Sequence, residues 1–315
     1  MKKFLLYLLF YNFIFSQSYI NPDVYDQDLL VFLENNYKTN STLGYNNARD
    51  IMYSEIDIKP GNQLTGVYCG YTITLDLSQD PSTDAYEKGI NCEHTWPQSL
   101  GSSSEPMKSD MHHLFPTKSN VNSSRGNDPF DESNDQLTDN WYRNASSQNS
   151  IPQQFIDEYA EKYNPSNQND ERFEPREEQK GNTARAMAYF YTMYSNVADD
   201  QFWDIQKEIL FDWHYYDETD EIELDRTWAI ASYQNNIPNP FVIDPTLIWR
   251  SYFINEYPVG DVNHDLDVNV IDIVMVVEYV LNNNNFTELQ IHQCDFSNDF
   301  NIDILDIIQF VEYLI

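Results

Sequence analysis

The chain has 315 residues, and its 51 acidic against 18 basic side chains give a formal charge of −33. With 41% hydrophobic and 15% aromatic residues it can bury a core, so wholesale disorder is excluded, and the length suits one large domain or two. A protein that grips nucleic acid by bulk positive charge is excluded as well; nucleic-acid chemistry here requires a local site with a metal ion.

Met1-Lys2-Lys3, an apolar run over residues 4–15 broken only by Asn12, and small residues at 16–18 have the layout of a secretory signal, expected to span 1–18. The run is too short to cross a bilayer, so the expectation is an exported, extracellular protein without a membrane span. Residues 24–37 read as a helix, with Val24, Leu29, Leu30 and Leu33 forming its apolar stripe. Residues 65–77, rich in Val, Tyr, Thr and Ile, read as a strand, and 81–89 as a loop. The cysteines are Cys69, Cys92 and Cys294. Outside the cytoplasm a pair tends to oxidise, and a Cys69–Cys92 bridge is expected, worth about 3 kcal/mol.

Candidate chemistry concentrates between residues 91 and 127. This window holds Glu93-His94, Asp110, His112-His113, Asn122, Arg125 and Asn127. From Tyr86 to Asn127 the acids Glu87, Glu93, Glu105 and Asp110 are balanced by Lys88, Lys108, Lys118 and Arg125, so the window is neutral within an acidic chain. A neutral imidazole can take a proton from water near pH 7. A carboxylate and an amide oxygen can hold Mg²⁺ while leaving places for water and phosphate. Adjacent residues of a regular strand face opposite ways, so Glu93 and His94 can serve one site only at a strand end or bend, consistent with Pro97. Thr117 is expected to cap a short helix running to Arg125 and ended by Gly126, with Asn122 presented from it. His112 and His113 cannot easily ligate one ion and are read as structural or supporting, with Asp110 orienting a neighbour.

Residues 144–150 and 164–170 read as loops. Helices are expected at 183–197, capped by Asn182 or Thr183, at 201–213 and at 221–233. His214 reads as a packed residue, and Arg185 and Arg226 as members of structural ion pairs at least as readily as DNA contacts.

The pattern changes near Tyr257-Pro258. Residues 259–315 carry eleven Asp and Glu and no Lys or Arg. A stretch beginning at Gly260 recurs 34 residues later at Cys294, each copy followed by an apolar helical segment. Oxygen-bearing residues fall at loop positions 1, 3, 5 and 12, with a backbone carbonyl at 7, which suits Ca²⁺. These are Asp261, Asn263, Asp265, Asp267 and Asp272 in the first loop, and Asp295, Ser297, Asp299, Asn301 and Asp306 in the second. Leu266 and Phe300 stand at position 6, where glycine usually makes the turn, so an altered turn is expected.

The paired half-hands resemble a type I dockerin module, which implies docking onto a cohesin-like partner or the cell surface. The stretches Glu93–Ser99, Asp110–Pro116 and Asn122–Asn127 resemble the bacterial endonuclease I family. That resemblance implies an α+β fold: a ββα-metal (His-Me finger) core with surrounding helices, over residues 19–258, followed by a small all-α module at 259–315. It implies His94 as general base, Glu93 and Asn122 as ligands of one Mg²⁺, and Arg125 as the phosphate contact, with Asp110, His112 and Asn127 in support. The span between the first two motifs lacks the Arg and Cys that some relatives place there, leaving Lys108, Lys118, Arg125 or the metal alone as the transition-state cation. The implied reaction is hydrolysis of DNA, with RNA left open, to 5′-phosphate and 3′-hydroxyl ends. Two rivals stand beside it: a non-catalytic, Ca²⁺-dependent adhesion or scaffold protein, and a polysaccharide hydrolase suggested only by the tail.

Overall fold

The computed structural model describes residues 19–167 and 170–315. The expected signal, 1–18, lies outside the described residues. The irregular lead-in is held by Arg250, which donates to the carbonyls of Ile20, Asn21 and Val24 and to Asp244 Oδ2. The same Asp244 oxygen accepts the Ile20 N–H.

Helix α1 (Asp26–Tyr37) buries Leu29 and Leu33, as the apolar spacing predicts. Helix α2 (Tyr45–Ile51) begins after Gly44, whose φ of 75° is a left-handed conformation open to glycine without steric cost. The segment expected as one strand is a hairpin. Strands β1 (Gln63–Thr65) and β2 (Thr72–Thr74) pair antiparallel, Leu64 opposite Ile73. The segment expected as a loop contains α3 (Pro81–Glu87). Asp80 caps it by accepting the Thr83 N–H, and Pro81 sits in the first turn, where no amide donor is needed.

Strands β3 (Ile90–His94) and β4 (Leu114–Lys118) pair antiparallel, Ile90 opposite Lys118 and His94 opposite Leu114. Helix α4 (Ser119–Arg125) follows at once and ends at Gly126, giving the ββα unit that the motifs imply. Thr117 is not its cap: it lies inside β4, and the helix starts without a side-chain cap. Next comes a four-stranded antiparallel sheet of β5 (Asn140–Arg143), β6 (Ser146–Gln148), β7 (Ala160–Tyr163) and β8 (Arg172–Glu174), in the order β6-β5-β7-β8. Residues 144–150, expected as a loop, thus supply an edge strand.

The larger core wraps helix α5 (Lys180–Met193), which is buried on nearly every face. It starts before Asn182 and Thr183, so neither caps it. Trp96 stacks on Phe190 with ring centroids 5.0 Å apart. Helices α6 (Asp200–Tyr216), α7 (Glu221–Tyr233) and α8 (Pro240–Ile243) enclose it, each capped by an Asp or Asn side chain. Arg185 on α5 pairs with Glu223 on α7 at 2.6 Å, and Arg226 pairs with Asp57 at 2.7 Å, so both are structural. A smaller core gathers Met52, Tyr53, Leu64, Ile90, Met111 and Leu114.

All three cysteines are free, which corrects the expected bridge. Cys69 belongs to the larger core, whereas Cys92 packs against the smaller one. Their side chains enter different packing environments, and no bond joins them.

After residue 258 come α9 (Val270–Val280), α10 (Glu288–Cys294) and α11 (Ile304–Leu314), around Val262, Val276, Cys294 and Phe310. Helix α10 was not foreseen in the apolar pattern. Gly260 is needed where it stands, because a Cβ there would come within 2.7 Å of the Phe310 ring. Among the described residues no helix is long and apolar enough to cross a membrane.

His214 is buried, with Nε2 2.7 Å from the Pro245 carbonyl and Arg185 beside the ring. Burial, then the Arg185 charge, push its pKa down to about 3. The unfolded chain, titrating near 6.5, binds the extra proton, so this contribution to stability is present above pH 6.5 and lost as pH falls below it. Urea denaturation at pH 7.5 and 5.5 should show wild type losing about 1.4 kcal/mol more over this interval than His214→Asn. Parallel losses in the two proteins would refute the assignment.

Candidate active site and cation-binding loops

Asn122 and Arg125 lie three residues apart, on one face of α4. That face is stitched along β3. The Asn122 amide nitrogen donates to Asn91 Oδ1 at 3.0 Å and to the Cys92 carbonyl at 3.1 Å. Arg125 donates to Glu93 Oε1 at 3.1 Å and to the carbonyls of His94 and Thr95. Its guanidinium also lies over the Phe130 ring. Arg125 is 1% exposed. The expected phosphate contact is therefore not available to it: its two terminal nitrogens donate inward, where one holds the metal-ligand candidate, and its Nε is buried without a partner.

Glu93 also accepts from the Tyr68 hydroxyl at 2.9 Å. Burial raises its pKa to about 7, against the opposing pull of Arg125 and Tyr68. Among the described residues nothing donates to Glu93 Oε2 or to the Asn122 amide oxygen, and both bonds of the Asn122 side chain are donated by its nitrogen. One carboxylate and one amide oxygen on neighbouring elements form a hard, oxygen-only donor set. It suits Mg²⁺, which keeps several of its own waters.

His94 is the last residue of β3, at the ribbon's end, as the adjacency to Glu93 requires. Its ring faces away from α4. It packs on Tyr45, with centroids 5.3 Å apart, and meets His113 edge-on at 5.5 Å. Nε2 lies 3.0 Å from the Lys108 carbonyl. A carbonyl only accepts, so Nε2 carries the hydrogen and Nδ1 keeps the lone pair. The Gln98 amide nitrogen lies 3.4 Å from Nδ1. Burial, then His113, press the imidazole pKa down to about 3, so the ring is neutral at ordinary pH.

The supporting residues divide. Asp110 is fully buried and saturated. It accepts from Tyr189, Tyr194, Gln234 and the His112 N–H, and so anchors the turn before β4. His112 bonds to the Ile237 carbonyl, and His113 rather than His112 is the neighbour of His94. Asn127 is exposed and donates to Ser99. Lys118 pairs with Ile90 at the far end of the ribbon and donates to the Ala145 carbonyl. Tyr68, Tyr45 and Arg49 were missed. All three lie outside the quoted motifs, and only the tertiary fold brings them to β3.

In the C-terminal loops, the position-1 and position-12 carboxylates are buried. Asp261 accepts the N–H groups of Asp265 and Leu266, and Asp295 those of Asp299 and Phe300. Asp272 and Asp306 reach back to the chain before their helices and complete capping boxes with Asn269 and Asp303. Leu266 and Phe300 adopt φ of 68° and 64°. The turn is thus kept without glycine, contrary to the expected alteration. Among the described residues no three His, Cys, Asp or Glu side chains gather round one point. The loops nonetheless offer carboxylate, amide, hydroxyl and carbonyl oxygens, a donor chemistry that fits Ca²⁺. The second loop has an added contact: the Tyr19 hydroxyl donates to Asp295 Oδ2 at 2.7 Å, and its ring stacks on Phe300 at 4.1 Å.

The endonuclease I family pattern matches residues 17–246, and the dockerin type I domain pattern matches residues 259–315. The chain belongs to the endonuclease I family, with a dockerin type I domain in its C-terminal part. It is similar to an extracellular ribonuclease of Bacillus subtilis (strain 168), with 30% identity over 174 residues. The match covers 49% of this chain and 51% of that protein, so the chain spans about half the length of that relative.

Arg125→Met should unfold at lower urea, with a loss of about 3 kcal/mol, because it strands the buried Glu93. Urea denaturation unchanged from wild type would overturn the assignment of Arg125 as the buried partner that holds Glu93.

Proposed function

We propose that the protein is a secreted, Mg²⁺-dependent endonuclease that hydrolyses phosphodiester bonds of DNA, and of RNA, leaving 5′-phosphate and 3′-hydroxyl ends. The observation that carries the reading is the stitching of α4 to β3. It presents the free oxygens of Glu93 and Asn122 from neighbouring elements, next in sequence to an imidazole of fixed tautomer. Family membership and the likeness to an extracellular ribonuclease support the reading.

His94 Nδ1 accepts a proton from the attacking water, and the Lys108 carbonyl holds Nε2–H so that the ring cannot turn. Arg125 and Tyr68 fix the Glu93 carboxylate. Asn91 and the Cys92 carbonyl fix the amide of Asn122. Glu93 and Asn122 would hold the divalent cation, which supplies charge stabilisation at the phosphoryl and leaving oxygens. The dockerin type I domain would take Ca²⁺ through Asp261, Asn263, Asp265, Asp267 and Asp272, and through Asp295, Ser297, Asp299, Asn301 and Asp306. It would join the enzyme to a cohesin-like or cell-surface partner.

Digestion of single-stranded DNA, duplex DNA and RNA should require Mg²⁺ and stop with EDTA. His94→Ala should lower kcat at least a hundredfold with an unchanged far-UV circular dichroism spectrum. No cleavage of any of the three by wild type would favour the non-catalytic scaffold instead. For the C-terminal domain, calorimetry should show Ca²⁺ raising the melting midpoint of chelator-treated protein. The rise should vanish in Asp261→Asn/Asp295→Asn; an equal rise in both proteins would place the ion elsewhere.

A further inference from the structure

Most described lysines and arginines have a carboxylate partner, as expected in so acidic a chain. Arg49, Lys59, Lys108 and Lys118 are the described cations with none within salt-bridge distance. Two of these four converge on one ring. The Arg49 guanidinium lies 4.5 Å from the centre of the Tyr45 ring, and Lys108 Nζ lies 5.2 Å from it. That ring is the one packed on His94. Arg49 donates one bond from Nη2, to Asn46 Oδ1 on its own helix, while its Nε is buried without a partner. Lys108 is additionally the residue whose carbonyl holds the His94 ring.

The third and fourth cations lie elsewhere. Lys118 is at the other end of the ribbon, and Lys59 lines a cavity of about 330 Å³ beside Phe115, Arg176 and Arg226. An unpaired cation in a chain of this charge makes a local positive field that surrounding acids do not cancel. Two of them beside the candidate base fit an anion that approaches from the His94 side. Arg125, turned inward, cannot serve there.

The geometry points to Arg49 and Lys108, braced on Tyr45, as the residues that bind the nucleic-acid backbone phosphate at the His94 end of the ribbon. This rests on the nuclease reading and goes further by assigning its phosphate-binding cations. The guanidinium offers paired N–H donors to phosphate oxygens, and the ammonium a point charge. Tyr45 holds both through cation–π contact and keeps them from folding onto nearby carboxylates.

The test uses the full chain with a fluorescein-labelled single-stranded DNA oligonucleotide. Binding to the His94→Ala protein is followed by anisotropy over a NaCl series, in the presence of EDTA, with Arg49→Gln, Lys108→Gln or Lys207→Gln added. The slope of log K against log[NaCl] should become shallower by about 0.7 for Arg49→Gln and for Lys108→Gln, and stay unchanged for Lys207→Gln, a cation on α6. In the otherwise native protein each of the first two should raise KM for DNA about tenfold, and Arg49→Lys should recover part of the loss. Slopes and KM values equal to wild type in both Gln variants would overturn the proposal. A shallower slope without cleavage by wild type would uphold the phosphate contact while the nuclease reading fails. Melting midpoints of the variants within a few degrees of wild type exclude unfolding as the cause.

Discussion

The buried bridge between Arg125 and Glu93 is the constraint on which the candidate site depends. Both side chains are almost wholly inside the protein. A carboxylate so placed would protonate if left alone, and a guanidinium would be costly to bury. Together they fix the end of α4 against the end of β3, and the extra bonds from Arg125 to the carbonyls of His94 and Thr95 extend the attachment to the residues beyond the strand. Asn122, one turn earlier, is thereby brought to Asn91 and Cys92. The alternation of β3 does the rest: Asn91 and Glu93 face the helix, while Cys92 and His94 face Tyr45 and the smaller core. The ribbon thus separates ligand candidates from base candidate everywhere except at its end, where His94 lies.

Much of this was legible in the residues. The Glu93-His94 pair, Asn122 and the ββα order come from motifs whose spacing survives in the fold. Helix α7 begins and ends where its pattern does. The misread elements have physical explanations. In α3, a Pro-Ser-Thr-Asp opening looks like a turn, yet the same residues make a well-capped first turn. The stretch from Thr65 to Leu77 is rich in strand-forming residues, and Gly66 and Gly70, the turn signal within it, were passed over; the chain reverses there, with Gly70 at φ 73°. The role of Arg125 was misassigned because sequence cannot tell whether a helix-end arginine turns inward. The disulfide failed for a related reason: closeness in sequence says nothing about which core a side chain enters. Arg49 carried only the weak local signal of an aromatic ring four residues earlier on its helix, and its meaning comes from a histidine far along the chain.

Charge is distributed with a pattern that composition hides. Inside the catalytic region, the buried basic groups Arg125, Lys162, Lys180, Arg185 and Arg250 are paired with acids and serve the fold. The acidic surplus lies at the surface and in the C-terminal loops, where backbone N–H groups and helix starts already absorb part of it. A small number of unpaired cations can then dominate the potential of a restricted region, and a strongly negative protein need not be uniformly repellent to phosphate.

The two loops of the C-terminal repeat differ in one respect that their sequences conceal. Both place a bulky residue in a left-handed turn, at a cost of about 1–2 kcal/mol each. Leu266 leaves its side chain in solvent, at 63% exposure, whereas Phe300 lays its ring against Tyr19 from the lead-in that Arg250 secures. The second turn therefore recovers packing from its awkward side chain and the first does not. A module built from near-duplicate halves has lost its interchangeability: the second loop is moored to the lead-in through the ring at its turn, and the first meets the nuclease body through His264 against Tyr257 instead, leaving the side chain at its own turn in solvent.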